Sequence, residues 1–151
     1  MDLNLSGKTA LITGGTRGIG AEIVNCLAAA GAKVIATGTD NTKITELNEE
    51  SKSGSTRYLQ LDFNDQTSLK DQLHEIEKLE RVDILVNNAG VNKIDSIWDI
   101  DEGDWDWIQN INLKGVFLVT KIVAVKMNQQ KSGRIVNIAS IRGVISKAPR
   151  A

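Results

Sequence analysis

Thr13-Gly14-Gly15-Thr16-Arg17-Gly18-Ile19-Gly20 is the stretch whose residue types and spacing carry the clearest chemistry. It lies between the apolar run Thr9-Ala10-Leu11-Ile12 and a helical pattern that starts at Ile19. Gly14, Gly18 and Gly20 fall where a Cβ would keep backbone from a ligand, strain the turn, or hold the helix off a sheet. A strand, a tight turn and a helix N-terminus in that order aim unpaired amides and the positive end of the helix dipole at one point. A pyrophosphate suits that field. Gly31 ends the helical pattern before the next apolar run, Lys33-Val34-Ile35-Ala36, so the turn sits inside a strand-helix-strand unit.

Other chemistry-bearing residues say less when taken singly. Asp62 is a strand-end acid, Asn87 and Asn88 are ordinary turn formers, Asn112 is a helix-interior amide and Ser140 a strand-end hydroxyl. The acids between Asp99 and Asp106 suit the first turn of a helix, where they complement the dipole, and no metal site is expected from them. His74 lies among charges on an expected surface helix, and Cys26 reads as a small buried apolar residue.

The elements that position these groups alternate. Strands are expected at residues 9–12, 34–37, 57–62, 83–86 and 134–140, with helical patterns between them. Leu69, Leu73, Ile76 and Leu79 recur at helical spacing within an expected helix from Asp65 to Leu79. Asp83-Ile84-Leu85-Val86 is nearly unbroken in apolar character, as in a strand buried on both faces. Such alternation predicts a doubly wound parallel sheet with helices on both faces, and a ligand beyond the carboxyl ends of its strands. From Ile111 to Met127 apolar residues go most of the way round the helix, which implies burial on a second side. A partner subunit would supply it, and so would a later part of the same chain.

Composition bounds the rest. The 151 residues suit one domain, and 18 Lys and Arg against 19 Asp and Glu give no single-sign block that would call for nucleic acid or an anionic membrane. The single cysteine excludes an internal disulfide and makes a reducing, cytoplasmic setting the expectation. The N-terminus lacks an export pattern, and the run 122–125 is bounded by Lys121 and Lys126, so no membrane span is expected.

With the glycine turn, Asn87-Asn88-Ala89-Gly90, Asn112 and Ser140 in this order, the chain resembles the short-chain dehydrogenase/reductase family along its whole length. The resemblance implies a single NAD(P)-binding Rossmann domain over residues 1–151, truncated after the fifth strand. It also implies that Gly14, Thr16, Arg17, Gly18, Ile19 and Gly20 hold the pyrophosphate and nearby ribose. Asp62 and Phe63 would meet the adenine, and Asn88, Ala89 and Gly90 would line the adenine-ribose side and tie the turn to the sheet. Where an acid at the end of the second strand would grip the ribose hydroxyls of NAD, this chain has Gly38. Thr37 and Thr39 can hydrogen-bond a phosphate and Arg17 can supply positive charge, so NADP is expected over NAD. Asp40 is the acid that a loop shift would bring to the ribose instead.

Family members exchange hydride between nicotinamide and a carbonyl or alcohol, and by resemblance Ser140 would steady the substrate oxygen and Asn112 would hold a water. The family's Tyr-x-x-x-Lys pair has no counterpart here, since the only tyrosine is Tyr58 on the third strand. The reading is thus an N-terminal portion of an oxidoreductase, inactive alone, whose parent is a homo-oligomer, a dimer or tetramer. Its fifth strand would lie at an open sheet edge. A non-catalytic dinucleotide-binding or assembly module is the alternative.

Overall fold

The computed structural model describes residues 4–51, 54–141 and 145. The elements run in this order: β1 (Thr9–Ile12), α1 (Gly18–Ala29), β2 (Lys33–Gly38), α2 (Asn41–Glu50), β3 (Thr56–Gln60), α3 (Leu69–Glu77), β4 (Ile84–Asn87), α4 (Glu102–Gln109), a π-helical segment (Asn110–Gly115), α5 (Val116–Gln130) and β5 (Arg134–Asn137). The strands form one parallel sheet in the order β3-β2-β1-β4-β5. The chain winds outward from β1 to β3, then returns to the other side of β1 for β4 and β5. The order therefore reverses between β1 and β4, which pair Ala10 with Ile84, Leu11 with Leu85 and Ile12 with Val86. A crevice opens at such a reversal because the connections from the two strands leave in opposite directions.

Strand pleating divides the core. Leu11, Ile35, Leu59 and Leu85 point to the face covered by α3 and α5, where Ile76, Val119, Val123 and Met127 meet them. Ala10, Ile12, Val34, Ala36 and Val86 point to the other face, against Val24 of α1. The alanines on that side let α1 lie close, since residues alternate across a strand and small ones lower the sheet surface.

Three sequence expectations change. α3 begins at Leu69 rather than Asp65, because the Asp65 carboxylate accepts from the Thr67 hydroxyl at 2.6 Å and the Thr67 amide at 3.1 Å, holding a turn ahead of the helix. The stretch expected as one helix from Ile111 starts inside the π-helical segment. Cys26 is exposed, not buried. The continuous helical run Glu102–Gln130 is long and apolar enough to cross a membrane. Val119, Val123 and Met127 on it pack into the cluster beneath the sheet.

The two-sided apolar character of α5 has a structural counterpart. Val119, Val123 and Met127 are buried while Phe117 is 60% and Val125 57% exposed on the outer side. At the sheet edge all four residues of β5 are exposed.

Candidate active site

The glycine turn is tied to its neighbours before any ligand is considered. On one side, the Thr13 hydroxyl oxygen accepts from the amides of Asn88 and Ala89, each at 3.0 Å. The Asn88 side-chain amide donates back to the carbonyls of Thr13 and Gly14, also at 3.0 Å. On the other side, the Gly15 amide donates to the Thr37 carbonyl at 2.8 Å. The loop after β1 is thereby held between the ends of β4 and β2.

The glycines have different duties within that frame. A Cβ on Gly14 would lie 2.9 Å from the Ala89 Cα, and one on Gly20 would lie 2.6 Å from the Asn88 side-chain nitrogen and closer still to the Gly14 carbonyl. Both allow the β4 loop to sit against the start of α1. Gly18 is the one that faces open space: its φ is +55° and a Cβ there would meet nothing within 4 Å. α1 opens at this point with no side-chain cap and no acid in its first turn. Its leading amides and dipole are left for an outside acceptor, which is the fit an anionic pyrophosphate requires.

Gly14, Thr16, Arg17, Gly18, Ile19, Gly20, Thr39, Asp62, Phe63, Asn88, Ala89 and Gly90 line one cleft of about 590 Å³ at the β1/β4 reversal. Thr37 does not line it: it is 1% exposed, with its hydroxyl turned under the loop and accepting from the Gly14 amide at 3.4 Å. Gly38, Leu61, Asn64, Val91, Trp107 and Ile111 complete the lining. Leu61, Asn64 and Val91 adjoin residues picked out from the sequence. Trp107 and Ile111 arrive from a distant helical run, and no local pattern marks them.

Asp62 is steadied from α3, its amide donating to Gln72 Oε1 at 2.7 Å while its carboxylate accepts from the Asn64 amide at 2.9 Å. Asp40, the acid weighed for a ribose, instead accepts from the amides of Thr42 at 2.9 Å and Lys43 at 3.1 Å. It is the N-cap of α2.

Asn112 lies in the π-helical segment, where π-bulges often mark functional positions. Its side chain pairs with both backbone groups of Val91, accepting from the N–H and donating to the C=O at 2.8 Å each. Gly115, at the end of the segment, lets the Phe63 ring approach to 2.7 Å of where a Cβ would stand. Neither Asn112 nor Ser140 lines the cleft itself; Ser140 is exposed, just past β5.

Asn87, not assigned a role from the sequence, is 3% exposed and joins the strand ends. Its amide nitrogen donates to Thr120 Oγ1 at 3.0 Å and to Asn137 Oδ1 at 2.8 Å, tying β4 to α5 and β5. Tyr58 is remote from this end, since β3 and β5 are opposite edges with β2, β1 and β4 between them. At about 4.8 Å per strand spacing, roughly 19 Å separates their backbones. Its hydroxyl is held above the usual phenol range by burial and by the charge of Glu50.

A parallel sheet reversing at β1/β4, with a glycine turn opening α1 at that reversal, defines a Rossmann-type α/β fold. The family described as short chain dehydrogenase matches residues 8–150, and the chain belongs to that family. It is 40% identical over 147 residues to the 3-oxoacyl-[acyl-carrier-protein] reductase FabG of Aquifex aeolicus, covering 95% of this chain and 59% of the relative. Dehydrogenase/reductase SDR family member 6 of Aquarana catesbeiana is 38% identical over 148 residues, 95% of this chain and 58% of that protein. Among solved structures, a gluconate 5-dehydrogenase from Burkholderia cenocepacia in complex with NADP and tartrate superposes with a TM-score of 0.87 at 30% identity, over 99% of this chain and 60% of that one. The chain thus spans about three-fifths of the length of the relatives it matches.

Proposed function

We propose that the cleft binds NADP, with its pyrophosphate on the uncapped amides that open α1, as the cofactor half of an oxidoreductase acting on a small carbonyl or alcohol. The observation that carries this reading is the open space at Gly18 in front of a helix start that no side chain satisfies. Bound there, the nicotinamide supplies hydride exchange with the substrate carbon. The protein's part is to bind and orient. Arg17 and Thr39 line the cleft together and suit a ribose phosphate, a bidentate guanidinium and a hydroxyl both favouring that anion. Asp40 holds its carboxylate on the Thr42 and Lys43 amides that open α2, not on the cleft. Asp62 accepts from the adenine amino group, with Phe63 beside it. Asn88, Ala89 and Gly90 form the wall on the β4 side.

Ser140 steadies the substrate oxygen in this reading, and Asn112 is a positioning residue that fixes the Val91 backbone at the cleft. No tyrosine stands near Ser140 in these 151 residues, so they are expected to bind cofactor without turning over substrate. The outer face of α5, with Phe117 and Val125, is the surface proposed to meet a second copy, as a dimer or tetramer. An unpaired, exposed Cys26 suits a reducing, cytoplasmic setting.

Trp107 lines the cleft, so its fluorescence reports occupancy. Titration with NADPH is expected to saturate and NADH to bind more weakly. Arg17→Ala is expected to weaken NADPH by about 10- to 100-fold, the worth of one charge-assisted pair, while sparing NADH. No saturable change with either dinucleotide, or a preference for NADH, refutes the reading.

A further inference from the structure

Gly38 closes β2 at the position where an acidic side chain would reach the ribose of NAD, and it is buried. Its backbone is not left-handed, so conformational freedom does not require a glycine there. Space does. A Cβ on Gly38 would stand 3.2 Å from the Thr16 Cβ, 2.8 Å from its Oγ1 and closer still to its Cγ2. Rotation about χ1 moves the last two atoms but not the first, and a β-branched side chain has little rotamer freedom to give. Thr16 therefore occupies the volume that any side chain at position 38 would need.

We infer that Thr16 and Gly38 are one steric unit that sets cofactor preference: the threonine in the glycine turn excludes the strand-end acid that would grip a ribose diol. The inference rests on the cleft being the dinucleotide site. It makes the choice of cofactor a matter of packing between two loops as well as of charge. An aspartate placed at position 38 alone has nowhere to go, so it disrupts the turn instead of gaining NAD.

The test uses the 151-residue chain with Gly38→Ala, Gly38→Asp, Thr16→Ser and the two doubles T16S/G38A and T16S/G38D. Urea unfolding without cofactor reads the packing. Gly38→Ala is expected to lower the midpoint and Thr16→Ser to change it little. T16S/G38A, which moves a methyl group across the contact, is expected to regain most of the loss, a non-additive outcome for residues in contact. Fluorescence titration reads selectivity. Gly38→Asp alone is expected to lose affinity for both dinucleotides, and T16S/G38D to shift the ratio of NADPH to NADH dissociation constants at least tenfold toward NADH.

A Gly38→Ala chain as stable as the parent, or a double variant whose losses simply add, overturns the steric unit. So does a switch to NADH by Gly38→Asp alone. Those results leave the dinucleotide reading standing. Rescue of stability with no dinucleotide bound by any variant or by the parent chain refutes the dinucleotide reading instead, and the selectivity claim falls with it.

Discussion

At the scale of single residues, the glycine turn separates binding from packing in a way that mutation can read. Gly20→Ala drives a methyl group into the Gly14 carbonyl and the Asn88 amide, so it is expected to cost about 1–3 kcal/mol in urea unfolding, as overpacking does. Gly18→Ala meets no neighbour, and only its φ of +55° resists, at about 1–2 kcal/mol. Its larger effect is expected on dinucleotide affinity, measured by fluorescence titration, because the new methyl group projects into the cleft.

Asp83, at the opposite end of the strands, gives a pH-dependent prediction. The Arg81 guanidinium, the Thr9 amide and Lys8 hold its carboxyl down at about 2, against an ordinary 3.8. A folded value below the unfolded one means stabilisation that is present above the unfolded value and lost as pH falls through 4 toward 2. Asp83→Asn is expected to lower stability by about 1–2 kcal/mol at pH 7 and by little at pH 2, seen in urea midpoints for both chains across that range. Much of this scale was legible beforehand: glycine spacing marks the turn, and the motif at Asn87–Gly90 marks the loop that clasps it. The burial of Thr37 was not, because sequence shows that a strand alternates but not which loop crosses over it. The Thr16–Gly38 contact also joins distant segments that leave no periodic trace.

At the scale of elements, periodicity located the strands and most helices because each has one or two buried faces. It placed the start of α3 too early, since Asp65 offers the backbone a competing turn. The π-helical segment escaped it altogether. That segment depends on contacts from elsewhere, the Asn112 amide on Val91 and the Phe63 ring against Gly115. Gly115→Ala is expected to push the ring aside and cost about 1–3 kcal/mol, with a matching change in Trp107 fluorescence as Ile111 and its neighbours shift. On α5, F117K/V125K replaces two exposed apolar residues on the proposed subunit face and leaves the buried Val119, Val123 and Met127 untouched. Sedimentation at micromolar concentration is expected to show self-association in the parent chain and its loss in this variant. A monomeric parent refutes the role given to that face.

For the whole molecule, a doubly wound parallel sheet with its fifth strand at an open edge followed from strand-helix alternation, while the order β3-β2-β1-β4-β5 comes from the structure, since alternation does not say which strands pair. Among the described residues β1 is flanked by strands and β5 pairs with β4 alone, so amide exchange is expected to be slowest in residues 10–12 and fastest among the strands in 134–137. Ile135→Lys puts a charge on an open edge whose residues are already exposed, and light scattering on warming is expected to show less aggregation with no loss of unfolding midpoint.

The clasp between Thr13 and the pair Asn88 and Ala89 joins groups that translation delivers far apart. A ribosome that has released only the first βαβ unit exposes the glycine loop without the partner that braces it. On the proposed dinucleotide reading, coenzyme is expected to stabilise a nascent chain only after the fourth strand has emerged.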